Sequence, residues 1–140
     1  MHMDHSIDIE APPERVWAVM TDVERWPEWT QSVSKVELVR PGPLATGVEA
    51  RIAQPRLGTR TWRVTAVEAG GGFTWETTGP GTRMVATHTI TPRGDGASSV
   101  ELVIDSSGWA VSLLSWLIAP TGRRYIEMEA AGLKQRAEAG

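Results

Sequence analysis

The amino-acid sequence predicts an α+β fold in which a curved antiparallel β-sheet of about seven strands wraps around a long C-terminal α-helix. Two observations support this prediction. Most of the chain before residue 105 alternates apolar and polar residues in short runs, as half-buried strands do. From Gly108 to Glu138, apolar residues instead recur at helical spacing. A helix this long cannot bury its apolar stripe alone, so the sheet is its natural partner.

Composition narrows the class of protein. The chain has 140 residues, a size typical of one domain spanning residues 1–140, and a net charge of -3, which gives no basic face for nucleic acid. Cysteine is absent, so disulfides, thiolate catalysis and cysteine zinc sites are excluded. The N-terminus alternates where a signal peptide needs an apolar run, and the longest apolar run, residues 111–119, is too short to span a bilayer. A cytoplasmic protein without an integral membrane segment is therefore expected.

The first strand and two short helices are predicted near the N-terminus. Alternation over His5–Glu10 indicates a strand, and the change of period after Ala11-Pro12-Pro13 indicates a helix start, where proline is tolerated. A second short helix is expected after Thr21-Asp22, either of which could cap it. It should end near Trp26-Pro27-Glu28-Trp29, because proline disfavours helix at the residue before it.

Six further strands follow, each bounded by turn residues. They are centred on Val36–Leu38, Val48–Ile52, Trp62–Ala66, Phe73–Thr77, Met84–Ile90 and Val100–Ile104. Short turns between consecutive strands predict an antiparallel meander, which must curl at this length. The terminal helix is the only segment available to fill its concave face.

The stripe predicted for the terminal helix contains Leu114, Leu117, Thr121, Tyr125, Met128 and Gly132. Charged residues, Glu127 and Glu129 among them, fall mostly elsewhere around this helix. Pro120 should kink the helix near Trp116 or separate a first apolar turn from the rest.

Several segments carry a resemblance to a known superfamily. They are Ile7–Trp17, Thr21-Asp22, Trp26–Trp29, Trp62–Glu68 and the strand with His88 and Ile90. With this order of strands and helices, the chain resembles the START / birch-pollen-allergen superfamily and its helix-grip fold, and most closely its polyketide cyclase/dehydrase-like (SRPBCC) group. The resemblance implies a deep cavity between sheet and helix. It implies no fixed catalytic set, because the family includes lipid carriers, metabolite binders and aromatase/cyclases.

A cavity also follows from the physical argument. A curved sheet and one helix leave space between them, and small residues predicted on the inner faces (Ala50, Ala66, Ala86, Gly132) would leave it partly open. The alternative is that the seven tryptophans, an unusual number beside one Phe and one Tyr, fill it as core residues.

The candidate ligand-binding residues are Trp26, Trp62, Trp75, Met84, His88, Tyr125 and Met128. His88 is the best candidate for catalysis, because imidazole titrates near neutral pH; a strand histidine bonded to a neighbour is the alternative. Strand parity places its possible partners Glu76 and Asp105 on the outer face. Neither a cofactor nor a metal site is expected, since His2 and His5 lie in a terminus predicted to fray and no third ligand follows.

Three functions remain open from the sequence. The first is binding, transport or sequestration of a small hydrophobic molecule, such as a lipid or a polyketide-like aromatic metabolite, in the cavity. The second is a polyketide cyclase or dehydratase that uses the same cavity. The third is a protein-partner module. The chain is expected to be a monomer or a homodimer.

Overall fold

The computed structural model describes residues 1–140 and forms one seven-stranded antiparallel sheet with a long terminal helix. In chain order the segments are β1 (His2–Ile9), α1 (Pro13–Thr21), a 3₁₀ helix (Val23–Glu28), β2 (Lys35–Leu38), β3 (Glu49–Gln54), β4 (Gly58–Glu68), β5 (Gly72–Gly79), β6 (Thr82–Pro92), β7 (Ser98–Ser107) and α2 (Trp109–Ala139). The strand order is β1-β7-β6-β5-β4-β3-β2, so β1 and β2 form the two edges. This architecture confirms the predicted helix-grip fold.

In the central strands, the residues that face inward are mostly those that the alternation of apolar and polar residues predicted. Trp62 lies opposite Ala50, and Trp75 lies opposite both Val64 and Ala86; all five side chains are buried. Residues that face each other across antiparallel strands share one face, so these contacts form a continuous apolar layer.

The predicted inward orientation of Ala66 is wrong. A β-bulge shifts the β4–β5 register between Val64 and Ala66, so that Ala66 is exposed and Val67 packs against the core instead. Because a bulge inserts one residue into a period of two, it turns every later side chain of the strand to the opposite face. Ala66 therefore contributes no space to the hollow.

The N-terminal strand is longer than predicted and does not fray. It pairs with β7 from His2 onward, and Met3 is buried. The Met1 ammonium group donates a hydrogen bond to the Ser106 carbonyl at 2.6 Å, and the His2 ring binds the carboxylate of Asp105 at 2.6 Å. The sequence alone could not show these partners, since they lie more than 100 positions away along the chain.

The two short helices form where they were predicted, but without the predicted cap. Asp22 occupies the N-cap position of the 3₁₀ helix and makes no capping hydrogen bond. Its carboxylate lies 3.4 Å from the Arg25 guanidinium instead, and the Thr21 hydroxyl donates to the Trp17 carbonyl. Pro27 lies inside the 3₁₀ helix, which ends at Glu28.

The terminal helix α2 buries a different stripe from the predicted one. It runs through Pro120 without interruption, so no separate first turn forms. Leu114 and Leu117 are 41% and 57% exposed. The residues buried against the rest of the protein are Val111, Ile126, Ala130, Gly132, Leu133 and Ala137. The buried stripe lies about one residue, or 100°, further round the helix than the predicted one, and Gly132 is the one residue of the predicted stripe that is fully buried.

Helix α2 lies along β1 and begins at the β5–β6 turn. The Ala110 amide donates to the Gly81 carbonyl at 3.0 Å, Arg123 donates to the Asp4 carbonyl at 2.8 Å, and Lys134 to the Asp8 carbonyl at 2.8 Å. Its first turns carry an exposed apolar patch of Trp109, Leu113, Leu114, Trp116 and Leu117. No helix, α2 included, combines the length and the apolar character needed to cross a bilayer.

Candidate functional site

Only a small hollow lies between the sheet and α2, where a deep cavity was predicted, because aromatic side chains occupy most of the space, as the alternative prediction had it. Its volume is about 60 Å³, and most of its lining side chains are apolar. A space of this size holds a few water molecules. Pockets for small molecules usually measure about 300–1,000 Å³. The hollow is therefore smaller than the usual pocket for a small molecule.

Three tryptophans from different parts of the chain form its aromatic wall. Trp26 comes from the 3₁₀ helix, Trp62 from β4 and Trp75 from β5. The ring centroids of Trp26 and Trp75 are 5.3 Å apart, and those of Trp62 and Trp75 are 5.9 Å apart, all in tilted arrangements. The Trp26 indole donates to the Met20 carbonyl at 3.0 Å, which fixes its orientation. Tilted aromatic contacts of this kind add stability beyond the area they bury.

His88 projects from β6 into this aromatic group and is 3% exposed. Its ring stacks on Phe73 with centroids 4.2 Å apart and planes 9° apart. Nδ1 lies 3.2 Å from the Phe73 carbonyl oxygen. Because a carbonyl only accepts hydrogen bonds, Nδ1 carries a hydrogen, which leaves Nε2 as the nitrogen available for chemistry.

The partner of Nε2 is Glu129, which sequence reasoning placed outside the site. Its Oε2 lies 3.4 Å from His88 Nε2, and its side chain is only 19% exposed. A neutral Nε2 and a carboxylate are both acceptors, so this contact is favourable when one of them carries a proton. The pair can therefore hold one proton inside an apolar hollow, which is the arrangement that general acid–base chemistry requires.

The inward orientation of Glu129 could have been predicted from helical spacing. Glu129 lies three residues after Ile126 and four before Leu133, so it belongs to the stripe that α2 buries. A stripe drawn through Ile126, Leu133 and Ala137 turns Glu129 toward the sheet. Within the lining of the hollow it is the one carboxylate, and it is accompanied by the polar side chains of Gln54 and Thr87.

The structure brings together four of the seven predicted site residues: Trp26, Trp62, Trp75 and His88. Met84 lies on the inner face of β6, against the core but outside the lining. Tyr125 and Met128 line a separate surface recess of about 400 Å³ beside the β3–β4 turn. The Tyr125 hydroxyl donates there to the Pro55 carbonyl. A binding role for these residues stays a prediction.

The acidic residues that parity placed outside do lie there. Glu76 pairs with Arg83 at 2.8 Å, and Asp105 binds His2 at the surface. Nowhere do three or more His, Asp or Glu side chains gather in an arrangement that could hold a metal ion.

Comparison with known proteins identifies the family. Residues 1–138 match the family model described as "Polyketide cyclase / dehydrase and lipid transport", and the chain belongs to this family. No curated protein sequence matches the chain.

Solved structures of low identity show the same fold. The Zhui aromatase/cyclase from Streptomyces sp. R1128 is 18% identical with a TM-score of 0.79, over 99% of this chain and 93% of that one. Ara h 8.0201 is 8% identical with a TM-score of 0.80, over 100% and 99% of the two chains. Norcoclaurine synthase from Thalictrum flavum, solved in complex with dopamine and hydroxybenzaldehyde, is 12% identical with a TM-score of 0.71, over 96% and 84%.

Proposed function

We propose that the protein binds a small, mainly apolar molecule in the hollow between its sheet and α2, with an aromatic ring system as the best-fitting ligand class. The observation behind this proposal is the convergence of three buried indoles on one polar pair, the buried His88 and the partly buried Glu129. Indole faces favour planar apolar groups, and a single polar pair in such walls orients a ligand. The family description, which includes lipid transport, supports this class of function.

Binding requires the hollow to enlarge, because about 60 Å³ is too small for a ring system. Ile126 and Glu129 supply the α2 part of the wall, so a movement of this part of α2 away from the sheet would widen the hollow. The neighbouring Tyr125 ties this part of α2 to the β3–β4 turn through a single hydrogen bond to Pro55. Separation of the helix from this turn would open the hollow without breaking the sheet.

Tryptophan fluorescence tests the proposal. Exposed Trp109 and Trp116 add signal from outside the hollow, so the titration uses the variant carrying Trp109→Phe and Trp116→Phe. Two neutral probes, 2-naphthylmethanol and dodecanol, represent aromatic and aliphatic ligands. A saturable change with 2-naphthylmethanol is expected, because its ring enters among the remaining indoles. Linear, non-saturating changes with both probes would contradict the proposal.

A second candidate function, cyclisation or dehydration of a polyketide-like substrate, is favoured by the His88–Glu129 pair. Such reactions remove a proton next to a carbonyl and deliver one to a leaving hydroxyl, and one shared proton in a dry site suits both steps. The family description includes polyketide cyclase/dehydrase, and one structural neighbour is an aromatase/cyclase.

Two variants separate catalysis from binding. His88→Gln and Glu129→Gln should each abolish turnover of a poly-β-ketone thioester while 2-naphthylmethanol still binds. Unchanged product formation in either variant would remove that residue from the mechanism. If the native chain binds 2-naphthylmethanol but does not turn over the thioester, the enzymatic function is ruled out for this substrate and only the binding function remains.

A further inference from the structure

Arg60 is a half-buried arginine without an anionic partner. Two other arginines, Arg15 and Arg136, are buried to a similar degree. One of them contacts main-chain carbonyl groups and the other contacts a carboxylate. Arg15 donates to the Arg136 carbonyl at the C-terminus of α2, at 3.2 Å, and Arg136 pairs with Glu28 at 2.6 Å. Arg60 donates only to the Thr82 hydroxyl, at 3.2 Å, and takes part in no ion pair. Since partial burial removes hydration from a guanidinium, an unpaired one is a candidate anion site.

The Arg60 side chain lies on the concave face of the sheet. Arg60 pairs across β3–β4 with Ile52, which is buried and lines the hollow. It is two residues from Trp62 on the same strand, a distance of about 7 Å. A Cβ at Gly79 would lie 3.3 Å from Nη1, so the absence of a side chain at Gly79 leaves room for the guanidinium.

The surroundings of Arg60 are rich in hydrogen-bond donors and free of carboxylates. Arg60 lines a groove of about 420 Å³ at the ends of β4, β5 and β6. The groove contains no Asp or Glu, and five threonines share the lining: Thr59, Thr61, Thr77, Thr78 and Thr82. By strand register, Thr77 and Thr82 lie on the same face of the sheet as Arg60. Their hydroxyl groups and the forked guanidinium can together coordinate the oxygens of a carboxylate or a phosphate.

We propose that Arg60 binds the anionic group, a carboxylate or phosphate, of an amphiphilic ligand whose apolar part enters the hollow beside Trp62. This inference rests on the proposed function and names the class of its ligand: an apolar molecule with one acidic end. The hollow receives the ring or chain, and the threonine-rich groove receives the charge.

A matched pair of ligands tests the assignment by isothermal titration calorimetry. The ligands are 2-naphthoate and 2-naphthylmethanol, which share one ring system and differ in charge. The native chain should bind 2-naphthoate about 10- to 100-fold more tightly, the range expected for a hydrogen-bonded charge. Arg60→Gln should remove this preference and leave 2-naphthylmethanol binding unchanged, and Arg60→Lys should retain part of it.

Arg63 provides the control. It lies three residues further along β4, on the opposite and exposed face of the sheet, and carries the same charge. Arg63→Gln should keep the full preference for 2-naphthoate. An equal loss in Arg60→Gln and Arg63→Gln, or equal native affinities for the two ligands, would overturn the assignment while leaving the proposed function intact.

Acetate distinguishes an acidic end group from a free small anion. Weak competition by acetate against 2-naphthoate is expected, because acetate lacks the apolar part. Displacement at equal concentrations would overturn the amphiphile assignment. Failure of both naphthyl ligands to bind would contradict the proposed function itself.

Discussion

At the residue scale, Glu129 is the residue that places a carboxylate beside His88 in the hollow. It is the only carboxylate in the lining, and it faces His88 Nε2 at 3.4 Å. The contact is favourable when one of the two groups carries a proton. This pairing is what distinguishes the hollow from an ordinary aromatic core.

Replacing Glu129 by leucine tests whether the pair is structural. Glu129→Leu leaves His88 Nε2 without a partner and should lower the free energy of unfolding by about 1–3 kcal/mol. Urea denaturation at neutral pH measures the change. Glu127→Leu, on the exposed side of the same helix, is the control and should be close to neutral. Equal losses in the two variants would mean that the contact contributes nothing specific.

His2 makes the stability that the N-terminal strand contributes depend on pH. Hydrogen bonds that the His2 ring donates to the carboxylates of Asp105, the larger effect, and Asp4 raise the pKa of His2 above its ordinary value. A raised folded-state pKa contributes stability that is complete below the unfolded pKa, about 6.5, and is lost as pH rises through the folded pKa. Thermal unfolding should therefore show a small loss of stability as pH rises above about 6.5, and His2→Gln should remove this loss. An unchanged pH profile in His2→Gln would contradict this role.

The individual residues show where sequence reasoning reaches its limit. Trp26, Trp62, Trp75 and His88 could be placed together because strand parity and the helix corner are local properties. Glu129 could not, because the predicted stripe of α2 lay about one residue away from the stripe that the helix buries. The role proposed for Arg60 could not be predicted from the sequence either, because the absence of an ion partner becomes visible only in the tertiary structure.

At the scale of helices and strands, the close packing of α2 depends on Gly132. A Cβ there would lie 1.9 Å from the Trp29 carbonyl oxygen, a main-chain atom that cannot move away independently. The helix therefore passes the corner at Trp29 at a distance only glycine permits. This contact also supports the neighbouring Trp26, whose ring lies 5.4 Å from that of Trp29.

Alanine substitutions at two glycines of α2 test this packing. Gly132→Ala should destabilise the protein by about 3 kcal/mol, because the new methyl group overpacks a rigid contact. Gly122→Ala should be neutral or stabilising by up to about 1 kcal/mol, because alanine favours helix. Its Cβ would meet only the flexible end of the Met3 side chain, at 3.2 Å. Chemical denaturation compares the two, and similar values would contradict the packing account.

The strands were easier to predict than the faces of the helix. Period-two alternation located all seven strands and placed Trp75 and Ala86 inside, because each inner residue depends only on its own strand. The bulge after Val64 broke that rule and exposed Ala66. No composition signal marks the bulge, since threonine and alanine fit either face.

At the scale of the whole molecule, two apolar regions compete for any hydrophobic ligand. One is the hollow under α2, and the other is the exposed patch on the first turns of α2, where Trp116 is 76% exposed. Apolar patches of several side chains are uncommon on monomeric proteins. In the native chain, a change in total fluorescence cannot separate the two regions, because both contain tryptophan.

The methyl NMR spectrum of the native chain, recorded during titration with 2-naphthylmethanol, tests the central claim most directly. Binding in the hollow predicts saturable shifts of the Ile52, Ala86 and Ile126 methyl groups, which line it, with the methyl groups of Leu113 and Leu117 unchanged. Shifts confined to Leu113 and Leu117 would place the ligand on the exposed patch and contradict the claim that the hollow is the binding site.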